Sequence, residues 1–205
     1  MESQRKVALT LEEHDERGCV ARIVVDYQAR LNILNSQLIR GLAGAVNSLA
    51  DNERLRVLIL TGAGDRAFIG GADMNEMAAL DSFSAREFIS RLHEACTAIR
   101  ELPVPVIARI SGYCLGAGLE IAASCDLRVA ADHSTFGMPE VRVGIPSVIE
   151  AAVHRTGVGR RLLRQQLGDG APGHIAQHQG LSAGSAGDLL YGAELHKTIV
   201  QTAVN

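Results

Sequence analysis

Three runs of aliphatic and β-branched residues constrain this chain more than any other feature of its sequence. They occupy residues 20–25, 56–60 and 104–110, and each has apolar side chains on both faces of an extended segment. Strands of this kind lie in a sheet that is covered on both sides. Between them, residues 35–49 and 84–100 have apolar positions at the spacing of helical turns. Strands alternating with helices predict an α/β fold.

Composition and charge exclude several classes of function. The 205-residue chain has a formal net charge of −3 and only 3% aromatic residues, so it lacks the basic surface and stacking platforms that nucleic-acid binding uses. Its N-terminus is polar, and no stretch reaches the roughly 18 apolar residues that a membrane span needs. We therefore expect a cytoplasmic protein that binds neither nucleic acid nor membranes. Four cysteines without a CxxC pair predict free thiols in a reducing compartment, namely Cys19, Cys96, Cys114 and Cys125.

Two glycine-rich turns, at residues 69–73 and 111–120, each follow an apolar run and precede a helical pattern. Small residues let a ligand approach the backbone, and the N–H groups that begin a helix have no intrahelical acceptor. Two such turns facing each other would form an oxyanion hole. The alternative is that both are tight connections. The glycines at 112, 116 and 118 are spaced differently from GxGxxG, so a dinucleotide site is not predicted.

Two glutamates are candidates for acid/base chemistry. Glu120 lies in an apolar stretch, where an ionised carboxylate needs a structural partner or a functional reason for its burial. Glu140 follows Pro139 in a turn-like stretch, and taken alone it is typical of a solvated turn residue. His174 and His178 would share a helical face, but no carboxylate motif accompanies them, so no metal site is predicted.

The order and spacing of several motifs resemble the crotonase superfamily, and most closely its enoyl-CoA hydratases. The similar segments are residues 30–34, 67–74, 105–108, 112–120, 125–126 and 136–146. Many co-linear motifs are far harder to meet by chance than one. The resemblance implies a crotonase-like ββα spiral core over residues 1–152, followed by an atypical, shortened C-terminal segment, residues 153–205. It also implies a homo-oligomer, either a trimer or a dimer of trimers.

The resemblance further implies addition of water to a 2-trans-enoyl-CoA in fatty acid metabolism, giving a 3-hydroxyacyl-CoA. By motif position, the N–H groups of Ala72 and Ala117 hold the thioester oxygen. Glu140 then supplies the α-proton and Glu120 activates the water. No cofactor is expected, because coenzyme A is part of the substrate. The residues expected to bind substrate or CoA are Arg30, Asn32, Ile33, Gly71, Ala72, Asp73, Met74 and Gly116. Asp73 is also suited by residue type to be a helix N-cap.

Three alternatives remain open at this stage. A double-bond isomerase of the same family needs one carboxylate, at the Glu140 position, whereas retention of Glu120 favours the hydratase. A crotonase-fold protein that binds acyl-CoA without turnover is the second, because residues 153–205 depart from the segment that covers the family's acyl pocket. RNA binding, the third, is disfavoured by charge and composition. Glu150 is either a helix residue or a third carboxylate at the acyl pocket.

Overall fold

The computed structural model describes residues 5–15 and 18–139, together with the backbone of residues 181 and 182. The first of its two sheets has the strand order β1-β2-β3-β5-β7. Strand β1 is antiparallel to β2, and the remaining neighbours are parallel. The five strands are β1 (Lys6–Glu13), β2 (Cys19–Asp26), β3 (Leu55–Gly62), β5 (Val106–Ile110) and β7 (Leu127–Ala130).

The second sheet is built from very short strands, in the order β4-β6-β8-β9. Strands β4, β6 and β8 are parallel, and β9 is antiparallel to β8. These strands are β4 (Ala67–Ile69), β6 (Tyr113–Leu115), β8 (Thr135–Gly137) and β9 (Leu181–Ser182). Because β4, β6 and β8 run the same way, the connections that follow them leave from one edge of the sheet.

Four α-helices complete the described part of the chain: α1 (Ser36–Asn47), α2 (Met74–Ala78), α3 (Ser82–Glu101) and α4 (Ala117–Ser124). The Asn35 side chain caps α1 by accepting a hydrogen bond from the Leu38 N–H at 2.9 Å. Asp81 and Ser84 form a capping box at the start of α3. The α/β architecture, the three predicted strands and the two predicted helices are thereby confirmed, with ends shifted by one or two residues.

The main core lies between one face of the first sheet and helices α1 and α3. Alternate residues of the same strands form a smaller buried cluster on the opposite face: Val20, Val57, Ile59 and Ile107. Both faces of the strands therefore contribute buried apolar residues, as their largely apolar runs predict. None of the helices in the described ranges combines the length and apolar character that crossing a membrane requires.

The four cysteines are free and buried, which confirms the predicted thiols. Burial raises the pKa of the Cys114 thiol to about 12, because a thiolate there would lose its hydration. Burial raises the pKa of Cys125 as well. In both cases the nearby Arg128 guanidinium acts in the opposite direction, with the smaller effect.

These thiols give the protein a pH-dependent stability. Above the ordinary thiol pKa of about 8.5 the unfolded chain loses protons that the folded chain keeps. The contribution of each thiol is therefore complete below that pH, and decreases above it by up to about 1.4 kcal/mol per pH unit. We expect the free energy of unfolding, measured in urea between pH 7 and 11, to fall less steeply with pH in Cys125→Ala than in the wild type. Equal slopes would contradict this assignment.

Candidate active site

The first glycine-rich turn follows β4 and is attached to the residues that precede α1. The Leu34 N–H donates to the Gly71 carbonyl at 2.8 Å, and the Asp73 N–H donates to the Leu34 carbonyl at 2.7 Å. In this parallel bridge Ala72 lies between the two bonded residues. Its own N–H therefore points away from Leu34, on the opposite side of the segment.

The second turn follows β6 and begins helix α4. Gly116 is the N-cap, with a φ of 49° that side-chain-bearing residues rarely adopt. Its N–H donates to the Gly137 carbonyl at 2.9 Å, which joins this turn to the end of β8. Ala117 is the first residue of α4, so its N–H has no acceptor within the helix.

The two turns are brought together by close packing between β4 and α4. A Cβ placed on Gly118 would lie 2.2 Å from the Ile69 carbonyl oxygen, so only glycine allows α4 to approach β4 this closely. Among the described backbone groups, none accepts a hydrogen bond from the N–H of Ala72 or of Ala117. The structure thus places two N–H donors with no backbone acceptor in the described chain on adjacent turns at one edge of the second sheet.

Glu120 lies one turn along α4 from Ala117 and is 5% exposed. Residues three apart share a helix face, so the side chains of Ala117 and Glu120 lie on the same side of α4. Ile121 and Ala122, which follow Glu120, are fully buried. The burial of this segment of α4 agrees with its apolar sequence.

Glu140, the second predicted acid/base residue, lies outside the described residues, as do Glu150, His174 and His178. Strand β8, the last described strand before Glu140 in the chain, ends at Gly137, which is bonded to the Gly116 turn.

The predicted CoA-contacting segment forms a tight loop before α1. Leu31 and Asn32 both have positive φ, at 53° and 55°. The Asn32 side chain is 1% exposed and fixes this conformation. Its amide donates to the carbonyls of Ala63 at 3.0 Å and Ala67 at 2.7 Å, and its oxygen accepts from the Tyr27 N–H at 2.9 Å. The Asn32 side chain therefore holds the loop against the β3–β4 connection.

Replacing Asn32 by alanine is expected to lower the free energy of unfolding by about 3 kcal/mol, because it removes three hydrogen bonds that a buried side chain makes to the backbone. Urea denaturation measures the change. Asn47→Ala, at an exposed position near the end of α1, is the matched control and is expected to change stability by less than about 0.5 kcal/mol. A loss below about 1 kcal/mol for Asn32→Ala would contradict the role given to its amide.

The other predicted binding residues lie around these two turns. Asp73 caps α2, its side chain accepting from the Asn75 N–H at 3.0 Å, which confirms the N-cap. Met74 is 55% exposed at the start of α2, and Ile33 is half-buried. Arg30 is exposed and makes no ion pair with any described residue. Their assignment to ligand binding stays a prediction.

Sequence reasoning missed two contacts that shape the site. The Glu76 carboxylate accepts a hydrogen bond from the Ser36 N–H at 3.0 Å, which links α2 to α1. The Arg128 guanidinium donates to the carbonyls of Ala122 at 2.9 Å and Cys125 at 2.7 Å at the end of α4. A basic residue just after a helix is a recognised C-terminal signal, so Arg128 was accessible from sequence. No cluster of three or more potential metal ligands occurs in the described part of the chain.

A family model and curated relatives both relate this chain to enoyl-CoA hydratases. A family model described as enoyl-CoA hydratase/isomerase matches residues 15–177. The chain is 35% identical over 131 residues to a short-chain-enoyl-CoA hydratase of Clostridium acetobutylicum, covering 64% of this chain and 50% of the relative. It is 36% identical over 126 residues to a crotonyl-CoA hydratase of Syntrophomonas wolfei, covering 62% of this chain and 48% of that protein. The chain thus spans about half the length of these curated relatives.

Solved structures show the same similarity. The crystal structure of an enoyl-CoA hydratase/carnithine racemase from Magnetospirillum magneticum has a TM-score of 0.68 and 32% identity, over 80% of this chain and 62% of that one. An enoyl-CoA hydratase from Bacillus anthracis has a TM-score of 0.64 and 29% identity, over 79% of this chain and 59% of that one.

Proposed function

The chain belongs to the enoyl-CoA hydratase/isomerase family, part of the crotonase superfamily, and from this premise we propose that it adds water to a 2-trans-enoyl-CoA. The crotonase-like α/β core expected from the motifs is confirmed for the described residues. The expected atypical segment, residues 153–205, lies outside them apart from the backbone of Leu181–Ser182, as does the domain boundary at residue 152.

The observation that carries the proposal is the pairing of two N–H donors with a buried carboxylate one helical turn away. In a conjugated thioester, attack of water on the β-carbon moves negative charge onto the carbonyl oxygen. The N–H groups of Ala72 and Ala117 would stabilise this charge, and one such donor is worth about 3–4 kcal/mol in well-studied hydrolases. Both donors belong to backbone that hydrogen bonds and packing hold in place, which suits a preorganised oxyanion hole.

The proposed proton transfers use two carboxyl groups in different protonation states. Glu120, ionised, removes a proton from a water molecule while the oxygen of that water bonds to the β-carbon. Glu140, protonated, gives its proton to the α-carbon as the enolate collapses. The net change is addition of H and OH across the double bond, and one proton must return from Glu120 to Glu140 before the next turnover.

The CoA moiety supplies the remaining recognition. Its phosphates are anionic, and Arg30 is an exposed guanidinium without an ion pair in the described chain, so we assign it to the phosphates. By motif position, Gly71, Met74 and Gly116 are assigned to contacts with the substrate between the phosphates and the thioester. No separate cofactor enters the scheme, because coenzyme A is part of the substrate. The family resemblance also supports a homo-oligomer, which sedimentation velocity would test.

The proposal is tested by adding the purified chain to crotonyl-CoA and following loss of the enoyl thioester's ultraviolet absorbance. Hydration with formation of 3-hydroxybutyryl-CoA is the expected result. Conversion of a 3-enoyl-CoA into a 2-enoyl-CoA without hydration would identify an isomerase. Binding of CoA thioesters with neither reaction would replace the proposal by a binding protein.

A further inference from the structure

One side-chain contact links the two segments that form the first turn of the candidate site. Residues 31–36 and 70–76 run side by side, joined by the backbone bonds on either side of Ala72. The Glu76 carboxylate adds a bond to this set by accepting from the Ser36 N–H at 3.0 Å. The two residues are forty positions apart, so the contact depends on tertiary structure and fastens α2 to the start of α1.

The two ends of this bond suit each other. Ser36 is the first residue of α1, and its N–H has no acceptor within the helix. A carboxylate at a helix N-terminus is favoured by the helix dipole, and a charged acceptor shortens and strengthens the hydrogen bond. Asn35 satisfies the Leu38 N–H of the same helix end. Glu76 thus accepts from the Ser36 N–H, which the Asn35 side chain does not bond.

Helix α2 needs such an attachment because it has five residues, too few for stability on its own. It follows its N-cap Asp73 directly, and the Asp73 N–H makes one of the two backbone bonds that hold Ala72, so a displacement of α2 acts on the Ala72 N–H through Asp73. Glu76 and Met77 are the half-buried residues of this helix, and Met77 packs against the core. Met77 attaches α2 by apolar packing, and Glu76 attaches it by a hydrogen bond, which also fixes its orientation.

We propose that Glu76 is a positioning residue, which holds α2 against the start of α1 and so aims the Ala72 N–H at the thioester oxygen. This inference rests on the proposed function, since it assigns Ala72 to the oxyanion hole. A misaimed donor weakens the interaction with the enolate oxygen more than the interaction with the neutral carbonyl. The effect therefore falls on kcat, whereas KM is largely preserved.

Two variants remove the bond from opposite ends. Glu76→Ala deletes the acceptor, and Ser36→Pro deletes the donor at the first helical position, where proline is well tolerated. We expect each to lower kcat for crotonyl-CoA about tenfold with KM within about twofold, and the double variant to resemble either single variant. Glu76→Gln keeps an oxygen acceptor and is expected to retain at least about a third of the wild-type kcat. Glu94→Ala, an exposed glutamate of α3, is the charge-matched control.

A second readout does not require turnover. The CoA thioester of 4-dimethylaminocinnamic acid absorbs at longer wavelength when its carbonyl is polarised. We expect wild type and Glu76→Gln to shift its absorbance, and Glu76→Ala and Ser36→Pro to shift it less. A chain that shifts the probe without hydrating crotonyl-CoA would refute the proposed function and leave the role of Glu76 standing. Equal shifts in all variants, additive losses in the double variant, or no shift in the wild type would each overturn the inference.

Discussion

Replacing Glu120 by glutamine is expected to lower kcat for hydration by a factor of about 10² to 10⁴, the range that removal of a general acid or base produces. Glutamine keeps the shape of the side chain, so the buried position on α4 stays filled. An amide cannot take a proton from water at neutral pH. We therefore expect binding of CoA thioesters to be nearly unchanged while the chemical step is lost. Steady-state kinetics with crotonyl-CoA, with calorimetric titration of a saturated acyl-CoA, separates the two effects.

The matched control is Glu94→Gln, an exposed glutamate of α3 that is expected to keep wild-type kinetics. Glu140→Gln is expected to match Glu120→Gln in its loss of hydration. The double variant should be little worse than either single one, because residues that act as a unit lose their effect together. If Glu120→Gln instead retained more than about a tenth of the wild-type kcat, Glu120 would have to be a structural residue and not a base.

The two glutamate variants also separate the family's two reactions. By resemblance, isomerisation needs only the carboxylate at the Glu140 position. Glu120→Gln would therefore spare conversion of a 3-enoyl-CoA into a 2-enoyl-CoA, whereas Glu140→Gln would abolish it. Loss of both reactions in both variants would show that Glu120 has a part in each.

The elements predicted from sequence are those whose signal is local. Strands β2, β3 and β5 were accessible because consecutive apolar residues mark a strand covered on both faces, and α1 and α3 because their apolar positions recur at helical spacing. Strands β4, β6 and β8 have three residues each, too few for any period to emerge. The glycines make the two turns visible in the sequence, but the parallel pairing of the short strands that brings these turns together leaves no local pattern.

In the candidate site too, the residues with a local sequence signal were predicted and those that act through distant contacts were not. Glu120 was identified because a charged residue inside an apolar stretch is a local anomaly, and Asp73 because an acidic residue before a short helix is a local capping signal. Asn32 and Glu76 act through backbone groups more than thirty positions away, which no local pattern encodes. The resemblance assigns Asn32 to CoA binding, which stays a prediction, while the structure shows that its buried side chain holds the loop.

Substituting Gly118 by alanine is expected to have the largest combined effect on stability and activity. The added Cβ would meet the Ile69 carbonyl oxygen at 2.2 Å, an atom of the sheet backbone that cannot rotate away. Helix α4 must then move from β4, at a cost of about 3 kcal/mol in the free energy of unfolding. The same displacement separates the N–H groups of Ala117 and Ala72, and a misplacement of about 1 Å can cost about 10²-fold in rate.

Gly44→Ala is the control that the chain itself offers. Gly44 lies inside α1, where a Cβ would meet no atom within 4 Å, so alanine there should be neutral or stabilise the fold by about 0.5–1 kcal/mol. Urea denaturation and crotonyl-CoA kinetics, at a temperature where both variants are folded, provide the comparison. If folded Gly118→Ala lost stability but kept the wild-type kcat, the approach of α4 to β4 would serve packing alone. Loss of kcat in the folded variant would instead show that the geometry of the two N–H donors depends on glycine at position 118.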